Sequence, residues 1–165
     1  MSKEFKQNIQ QYISKTRWAI LATVNKDSIP VQRVMGSFAL DGLAVYFSTS
    51  KAADKVKQIE HNGWVSFYFQ HEGQDLDTFK NVALIGIARE VKNGKDFDRG
   101  VELLSARNPR FKARVERGEL AEIAVFRIEP KEVKYLDYAN GRGKAAIQTI
   151  ILEEPLVDSR PAVSA

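Results

Sequence analysis

The stretch Val31–Asn62, VQRVMGSFALDGLAVYFSTSKAADKVKQIEHN, decides the fold of this 165-residue chain. An apolar segment that carries one arginine, Arg33, predicts a strand, and Asp41-Gly42 predicts a hairpin turn into a second apolar strand. That strand ends in the hydroxyl-rich segment Ser48–Ser50, after which a basic amphipathic helix begins. Because the free N–H groups and the dipole of a helix N-terminus favour anions, the stretch predicts an anion pocket where strand meets helix.

Short apolar strands and a few amphipathic helices continue on both sides of this stretch. Helical spacing of apolar residues predicts helices over residues 3–14, 52–61 and 95–117, the last broken near 108–109. β-prone runs predict strands over residues 18–24, 29–40, 43–48, 64–69, 81–91, 122–128, 133–138 and 145–152. Six or seven of these strands in meander order, with helices added, predict a mainly β (α+β) fold built on a closed or partly closed antiparallel barrel.

Local signals make more specific predictions about four of these elements. The nearly continuous apolar run 18–24 predicts a strand that is buried on both faces. Ser50 is a candidate N-cap for the second helix. Gly86 predicts a bulge or a close backbone approach within its strand, and Pro130 is expected to separate two strands.

The composition predicts one globular domain over residues 1–152, followed by a polar tail over 153–165 that we expect to be disordered. The chain has no cysteine, which excludes disulfides, thiolate metal sites and thiol nucleophiles. Its two histidines have no third ligand at metal spacing, so no metal site is predicted. The N-terminal segment is polar and no stretch reaches membrane-spanning length, so we expect no membrane contact and a cytoplasmic location.

The predicted pocket at the strand–helix junction has two interpretations. Side chains that can bind a phosphate gather there: Ser48, Thr49, Ser50, Lys51, Lys55 and Arg33. Alternatively, the hydroxyls only cap the helix and the lysines are solvated. Arg33 favours the pocket, because an arginine in an apolar strand is costly to bury without an anionic partner, although an outward or edge position would avoid that cost.

A second basic cluster lies in the third helical region and consists of Arg107, Arg110, Lys112, Arg114 and Arg117. It fits either a solvated, partner-facing surface or a polyanion-binding surface. The net charge of +4 is modest. A basic balance of this size fits an anionic small molecule and does not require nucleic acid.

A resemblance to a known family rests on three segments: IPVQRVM (29–35), VYFSTS (45–50) and KVKQIEHNGWVSF (55–67). In their order and spacing they resemble the pyridoxamine 5′-phosphate oxidase-like family of flavin-binding split β-barrels, and most closely its branch of small general stress proteins. The resemblance covers residues 5–92 well and 122–138 loosely. It implies a split barrel that works as a homodimer and binds two FMN molecules in grooves between its subunits.

The resemblance also implies roles for individual residues. Arg33, Val34 and Met35 match the strand segment that contacts the flavin and its phosphate. Phe47 and Ser48 match the strand-end pair beside the ribityl chain and the ring. The other expected contacts are Lys55, which matches a phosphate-binding lysine, Asn81, which stands where a glutamine often faces the ring, and Thr49, Ser50 and Lys51 from the junction. As an alternative, Asn81 is a surface residue that starts a strand.

The chain departs from the true pyridoxamine phosphate oxidases in three places. Those enzymes have a further basic residue where Asp54 stands and a lysine near Phe38. They also carry an Arg-x-His pair near the C-terminus, whereas no histidine follows His71 in this chain. The resemblance therefore does not predict the vitamin B6 reaction itself.

The predicted function is that of an FMN-binding protein, specifically an FMN-dependent oxidoreductase that acts on an unknown small substrate, with a nicotinamide cofactor as a candidate electron donor. No side chain stands out as a proton donor, so no catalytic residue is predicted. Two alternatives stay open. One is a non-catalytic module of the same fold that binds flavin, deazaflavin or haem, and the other is a polyanion binder that uses residues 107–117.

Overall fold

Eight strands and four helices form the regular core of the computed structural model, which describes residues 2–152. All strand pairings are antiparallel. The elements in chain order are α1 (Lys3–Ser14), β1 (Ala19–Val24), β2 (Pro30–Met35), β3 (Phe38–Asp41), β4 (Ala44–Ser50), α2 (Asp54–His61), β5 (Trp64–Phe69), β6 (Lys80–Val91), α3 (Gly94–Arg107), α4 (Pro109–Glu116), β7 (Ile123–Asp137) and β8 (Ile147–Ile151).

The strands form one sheet in the order β2-β1-β5-β6-β7-β4-β3, and β8 adds to the far half of β7. The two end strands, β2 and β3, are neighbours in sequence and are separated only by Gly36 and Ser37. Among the described residues no ladder joins β2 to β3, but the backbone N–H of Ser48 on β4 donates to the carbonyl of Ser37. The sheet therefore curls into an antiparallel half-barrel with an open seam, which confirms the predicted fold class.

Aromatic rings fill the inner face of the curled sheet. Phe47 and Phe126 stack with their centroids 5.0 Å apart, and Phe67 and Phe69 stack at 4.8 Å. These rings belong to a cluster that includes residues of α1 and α2. A second, smaller cluster lies where α3 packs on β3, β4 and β7. Because α4 follows α3 directly, this packing also fixes the position of the basic 107–117 region.

The two predicted strands 122–128 and 133–138 are in fact one continuous strand, β7, and Pro130 does not separate them. Pro130 lies opposite Gly86 of β6, where the register of the two strands shifts. A Cβ atom at position 86 would collide with the carbonyl oxygen of Glu129, so only glycine allows this approach. The bulge predicted at Gly86 is confirmed.

The bulge also explains why the sequence of β7 resembles two strands. Phe126 and Ile128 face the main core before the bulge, and Val133 and Tyr135 face the same core after it. Lys131 is skipped in the pairing with β6, so one extra residue separates the two halves of β7. The alternation of apolar residues therefore changes phase within a continuous strand.

The single strand predicted over 29–40 is two strands, because the chain breaks from the sheet at Gly36-Ser37. A Cβ atom at Gly36 would lie 2.7 Å from the ring of Trp18. The glycine therefore lets the tryptophan pack against the seam.

The predicted N-cap of the second helix is wrong. Helix α2 begins at Asp54 rather than at 52, and its N-cap is Ala53, which offers no capping side chain. Ser50 instead accepts a hydrogen bond from the backbone N–H of Ala52 at 3.3 Å, in the turn that joins β4 to α2. The hydroxyl-rich end of β4 is therefore separate from the helix N-terminus.

The predicted burial of the first strand on both faces is also wrong for the single chain. Ala19 and Leu21 are fully buried in the core, whereas Ile20, Ala22 and Val24 on the other face are only partly buried. The strand thus has one inner apolar face and one apolar face that another surface could cover.

The predicted tail over 153–165 lies outside the described residues. Within residues 2–152 no helix has the length and apolar character needed to cross a membrane. In the same part of the chain, no group of three or more histidine or acidic residues is placed to hold a metal ion.

Candidate anion-binding site

Arg33 is half-buried between β1 and α2, and its hydrogen-bond partners among the described residues are all neutral. Its Nη1 donates to the hydroxyl of Thr23 at 2.8 Å and to the carbonyl of Leu21 at 3.2 Å. Its Nη2 donates to the Oε1 atom of Gln58 at 2.9 Å, and Thr23 donates to the same oxygen at 2.6 Å. The guanidinium is therefore held firmly in place while its charge is not neutralised by a carboxylate.

Lys55 lies on the first turn of α2, and its Nζ donates to the hydroxyl of Thr49 at 2.6 Å. Gln58, which holds Arg33, is three residues further along the same helix and so lies on the same side. The end of β4, the middle of β2 and the start of α2 thus bring a threonine hydroxyl and two cations together. We call Arg33, Thr49 and Lys55 the anchor.

The charges in the anchor are incompletely compensated. Burial lowers the pKa of Lys55, and the positive charge of Arg33 lowers it further. Burial also lowers the pKa of Arg33. The carboxylate of Asp54 is near enough to offset both shifts in part, but it forms no ion pair with either residue. A bound anion would relieve the repulsion between the charges of Arg33 and Lys55, so the anchor has the chemistry of a phosphate site.

A groove of about 1080 Å³ opens beside the anchor and shares Thr49 with it. We call it the α4 groove. Its lining residues are Ser14–Trp18, Gly36–Ser37, Ser48–Ser50, Arg107–Phe111, Arg114 and Ile123. At the seam of the sheet, the hydroxyls of Ser37 and Ser48 form a hydrogen bond with each other in the wall of this groove. The groove is large enough for a small-molecule ligand that extends from the anchor.

Of the residues predicted for the site, the structure brings Arg33, Lys55 and Thr49 together in the anchor, and Ser48, Thr49 and Ser50 together in the groove. The predicted alternative for Arg33 is an outward or edge position. The side chain does not point outward, because it hydrogen-bonds to Gln58 of α2, but its strand β2 is an end strand of the sheet.

Two predicted contacts, Met35 and Phe47, have side chains buried in the core. Phe47 stacks on Phe126. Only the backbone of these two residues is left for contact with a ligand.

Three more predicted residues lie apart from the anchor. Val34 and Asn81 are on the outer face of the sheet, and strands β1 and β5 separate their strands. Asn81 is near enough to the phenol of Tyr68 to offset in part the rise in its pKa that burial causes. Lys51 is exposed and lines a different cavity, between α2 and α3. Within one chain, these three residues do not contribute to the anchor.

Sequence reasoning missed several residues of the site. Gln58 and Thr23 hold the guanidinium of Arg33, yet a glutamine on a helix and a threonine in an apolar strand carry no distinctive signal. The spacing of Gln58 three residues after Lys55 was the one available clue. Trp18 and Arg17 line the α4 groove, and only the seam at Gly36 brings them there.

Comparisons with known proteins agree with this architecture. The sequence profile described as pyridoxamine 5′-phosphate oxidase matches residues 5–137. No curated protein is significantly similar in sequence.

Several solved structures are similar in fold. A conserved hypothetical protein from Mycobacterium tuberculosis is 22% identical, with a TM-score of 0.69 over 84% of this chain and 86% of the other. A haem-binding protein from Mycobacterium smegmatis is 16% identical, with a TM-score of 0.69 over 92% of this chain and 59% of the other. A protein related to general stress protein 26, from Clostridium acetobutylicum, is 14% identical, with a TM-score of 0.67 over 92% and 97%. At these identities the likeness concerns the fold alone.

Proposed function

The chain belongs to the pyridoxamine 5′-phosphate oxidase family, and we propose that it binds FMN and uses it as an oxidoreductase on a small substrate. The family's fold accommodates flavin or haem. The observation that carries the proposal of FMN is the anchor, where the cations of Arg33 and Lys55 lie beside the hydroxyl of Thr49 and have no carboxylate partner within residues 2–152. A phosphate monoester offers the charge and the acceptor oxygens that this group lacks.

Each anchor residue would have a separate task. Gln58 and Thr23 orient the guanidinium of Arg33. The side chain therefore loses little conformational entropy when its N–H groups donate to a phosphate. Thr49 positions the ammonium of Lys55, which acts as a point charge. When bound, the flavin itself would supply the redox chemistry.

The α4 groove gives the rest of the cofactor and a substrate a place to bind. Gly36 and Ser37 at the seam and Ser48 at the end of β4 lie between the anchor and α4. Backbone groups of Met35 and Phe47 border the same region of the chain. Of these positions, Phe47 and Ser48 are the pair that the family resemblance implies beside the ribityl chain and the ring.

A homodimer is part of this proposal, and the outer face of the sheet supports it. One register row across this face consists of Val34, Ile20, Tyr68 and Ala83, on neighbouring strands β2, β1, β5 and β6. Val34 is 62% exposed, and Ile85 further along β6 is also exposed. A contiguous apolar face of this kind is typical of a protein–protein interface. A second copy would bury the face of β1 that the single chain leaves open.

This arrangement also gives Asn81 a role. On the outer face it is far from the anchor of its own chain but faces the surface on which a second copy would bind. We propose that Asn81 contacts the FMN held by the anchor of the other subunit.

Titration of the purified protein with FMN, followed by flavin fluorescence, tests the proposal. Arg33→Ala and Lys55→Ala should each weaken binding by about 1–3 kcal/mol, the range for the loss of a charge-assisted hydrogen bond. Lys57→Ala is the matched control, because Lys57 is an exposed lysine on the same helix. Unchanged affinity in both anchor variants would show that the phosphate binds elsewhere.

Two further measurements separate the alternatives. Bleaching of the bound flavin by NADH or NADPH would support an enzyme. A flavin absorbance that neither NADH nor NADPH changes would favour a non-catalytic module. For haem, none of the lining residues of the α4 groove is a histidine, cysteine, methionine or tyrosine, which are the usual axial ligands. A Soret band in the purified protein, with no FMN uptake, would contradict the flavin proposal.

The dimer has its own test in solution. Ile85→Asp should convert a dimer into a monomer in analytical ultracentrifugation, because it places a charge in the proposed interface. Leu76→Asp is the control, since Leu76 is an exposed apolar residue in the turn between β5 and β6, outside the sheet. A dimer that survives Ile85→Asp unchanged would place the interface elsewhere.

A further inference from the structure

The α4 groove carries five cationic side chains, which come from the end of α1 and from the α3–α4 region: Lys15, Arg17, Arg107, Arg110 and Arg114. None of the lining residues of the groove is an aspartate or a glutamate. Like charges that are held in one concave site repel one another and create a strong local potential. The groove therefore presents a positive field that its own lining does not neutralise.

Two of the five cations are held in place by neutral groups. The guanidinium of Arg107 donates to the carbonyls of Phe38, at 2.9 Å, and Thr16, and it stacks on the ring of Phe38 at 4.0 Å. The guanidinium of Arg17 lies 5.1 Å from the ring of Trp18. These contacts fix the positions of the charges without cancelling them.

Arg110 and Arg114 are the two cations of α4 whose guanidiniums remain available to a ligand. They are four residues apart, so they project from the same side of the helix. Among residues 2–152, the side chain of Arg110 has no hydrogen bond or ion pair, and Arg114 is 3.9 Å from the carboxylates of Glu119 and Glu122. Neither guanidinium therefore forms a close ion pair with another of the described residues.

We propose that the α4 groove binds an anionic group, a phosphate or carboxylate, of the substrate, with Arg110 and Arg114 as its direct contacts. The identification of this ligand as a substrate rests on the proposed FMN function, because the groove adjoins the anchor at Thr49. The anchor and the groove are two separate anion sites, one for the cofactor and one for the molecule on which it acts.

The shape of the site favours a small molecule over a nucleic acid. Its cations converge on a concave space of about 1080 Å³ and do not form a stripe along the surface. Arg117, at the end of the same basic region, is neutralised by Glu119 at 2.7 Å. Trp18, which is 47% exposed, adds apolar surface to the lining of the groove. The ligand class is therefore a small organic or inorganic anion.

Isothermal titration with two probe anions, inorganic pyrophosphate and citrate, tests the proposal and distinguishes phosphate from carboxylate recognition. The proteins to compare are the wild type, Arg110→Ala/Arg114→Ala and Lys112→Ala, each titrated with and without saturating FMN, because the anchor could itself bind pyrophosphate when FMN is absent. Lys112 is an exposed cation of α4 that does not line the groove, so it is the matched control. Thermal unfolding by circular dichroism establishes that each variant is folded.

In the presence of FMN, we expect the double variant to weaken binding of at least one probe by about tenfold or more, with Lys112→Ala within about twofold of wild type. FMN affinity should be unchanged in the double variant. The proposal is overturned if the wild type binds neither probe, if Lys112→Ala weakens binding equally, or if FMN abolishes probe binding to the wild type, which would place the probes in the anchor. It is also overturned if the double variant loses FMN together with the probes. Unchanged FMN affinity in Arg33→Ala and Lys55→Ala would contradict the FMN proposal alone and leave the groove result standing.

Discussion

Arg33 and Arg127 are both partly buried arginines on strands of the same sheet, but their surroundings differ. Arg127 donates to the carboxylate of Asp41 at 2.9 Å, to Glu129 at 3.2 Å and to the phenol of Tyr46 at 3.0 Å. The partners of Arg33 are a hydroxyl, an amide oxygen and backbone carbonyls. One charge is neutralised within the chain, and the other is oriented but left uncompensated.

The pKa values of the two guanidiniums move in opposite directions for this reason. Burial acts to lower the pKa of both. At Arg127 the hydrogen bonds to Asp41 and Tyr46 outweigh burial and raise the pKa above its ordinary value. At Arg33 the distant charge of Asp54 offsets burial only in part, so the pKa stays lowered. An arginine with carboxylate partners stabilises the fold, whereas one with neutral partners is available to an external anion.

The sharpest test of this difference removes both cations of the anchor. Arg33→Ala/Lys55→Ala should weaken FMN binding by about 3 kcal/mol or more, roughly a hundredfold, because the phosphate loses both of its charged donors. The two effects will not simply add, since the side chains are neighbours. Fluorescence titration measures the affinity, and a loss of less than about tenfold would show that the anchor is not the phosphate site.

The reciprocal test removes the paired arginine. Arg127→Ala should lower the free energy of unfolding by about 2 kcal/mol, because Asp41 loses its hydrogen-bonded partner, while FMN affinity stays unchanged. Urea unfolding measures the stability. Arg99→Ala is the control: Arg99 is an exposed arginine 3.7 Å from Asp41, and its loss should cost less than about 0.5 kcal/mol. Equal costs for the two variants would contradict the special role assigned to Arg127.

The lowered pKa of Lys55 predicts a pH dependence with two opposite signs. FMN affinity should fall as the pH rises through that lowered pKa, because a neutral Lys55 no longer attracts the phosphate. In the free protein the unfolded chain binds this proton more tightly than the folded chain, so the free energy of unfolding should rise with pH across the same window. Lys55→Ala should abolish both changes. If the wild type and this variant show the same profiles, another group is responsible.

The smallest expected effect concerns Asp54. Asp54→Asn should tighten FMN binding by about 0.5 kcal/mol, roughly twofold, because an exposed carboxylate near the phosphate is removed. Glu60→Gln on the same helix, further from the anchor, should leave the affinity unchanged. Weaker binding in Asp54→Asn would mean that Asp54 orients Arg33 or Lys55 and does not oppose the phosphate.

Local pattern was enough to predict most elements of the fold. The Asp41-Gly42 hairpin, the bulge at Gly86 and the break at 108–109 follow from backbone chemistry that acts within a few residues. The wrong predictions arise where contacts between residues far apart in sequence determine the local structure. The residues near position 36 do not indicate that the ring of Trp18 packs against Gly36, directly after the end of β2.

The site shows the same division. Arg33 could be identified because a cation in an apolar strand is unusual in itself, and Lys55 because it matches a phosphate-binding lysine of the family. Gln58 could not, because its role depends on how α2 docks on β1 and β2. The α4 groove could not be predicted either, since its cations belong to residues 15–17 and 107–114 and meet only in the folded chain.

The bulge between β6 and β7 couples the length of one strand to the residue type at one position of the other. Loss of Lys131 would restore a regular ladder and leave Val133 and Tyr135 facing the core, because both halves of β7 would then follow one alternation. The bend that the extra residue gives the sheet would be lost. A one-residue gap at this point in a related sequence should therefore occur together with a side chain larger than glycine at the position of Gly86, where the close approach to Glu129 would no longer exist.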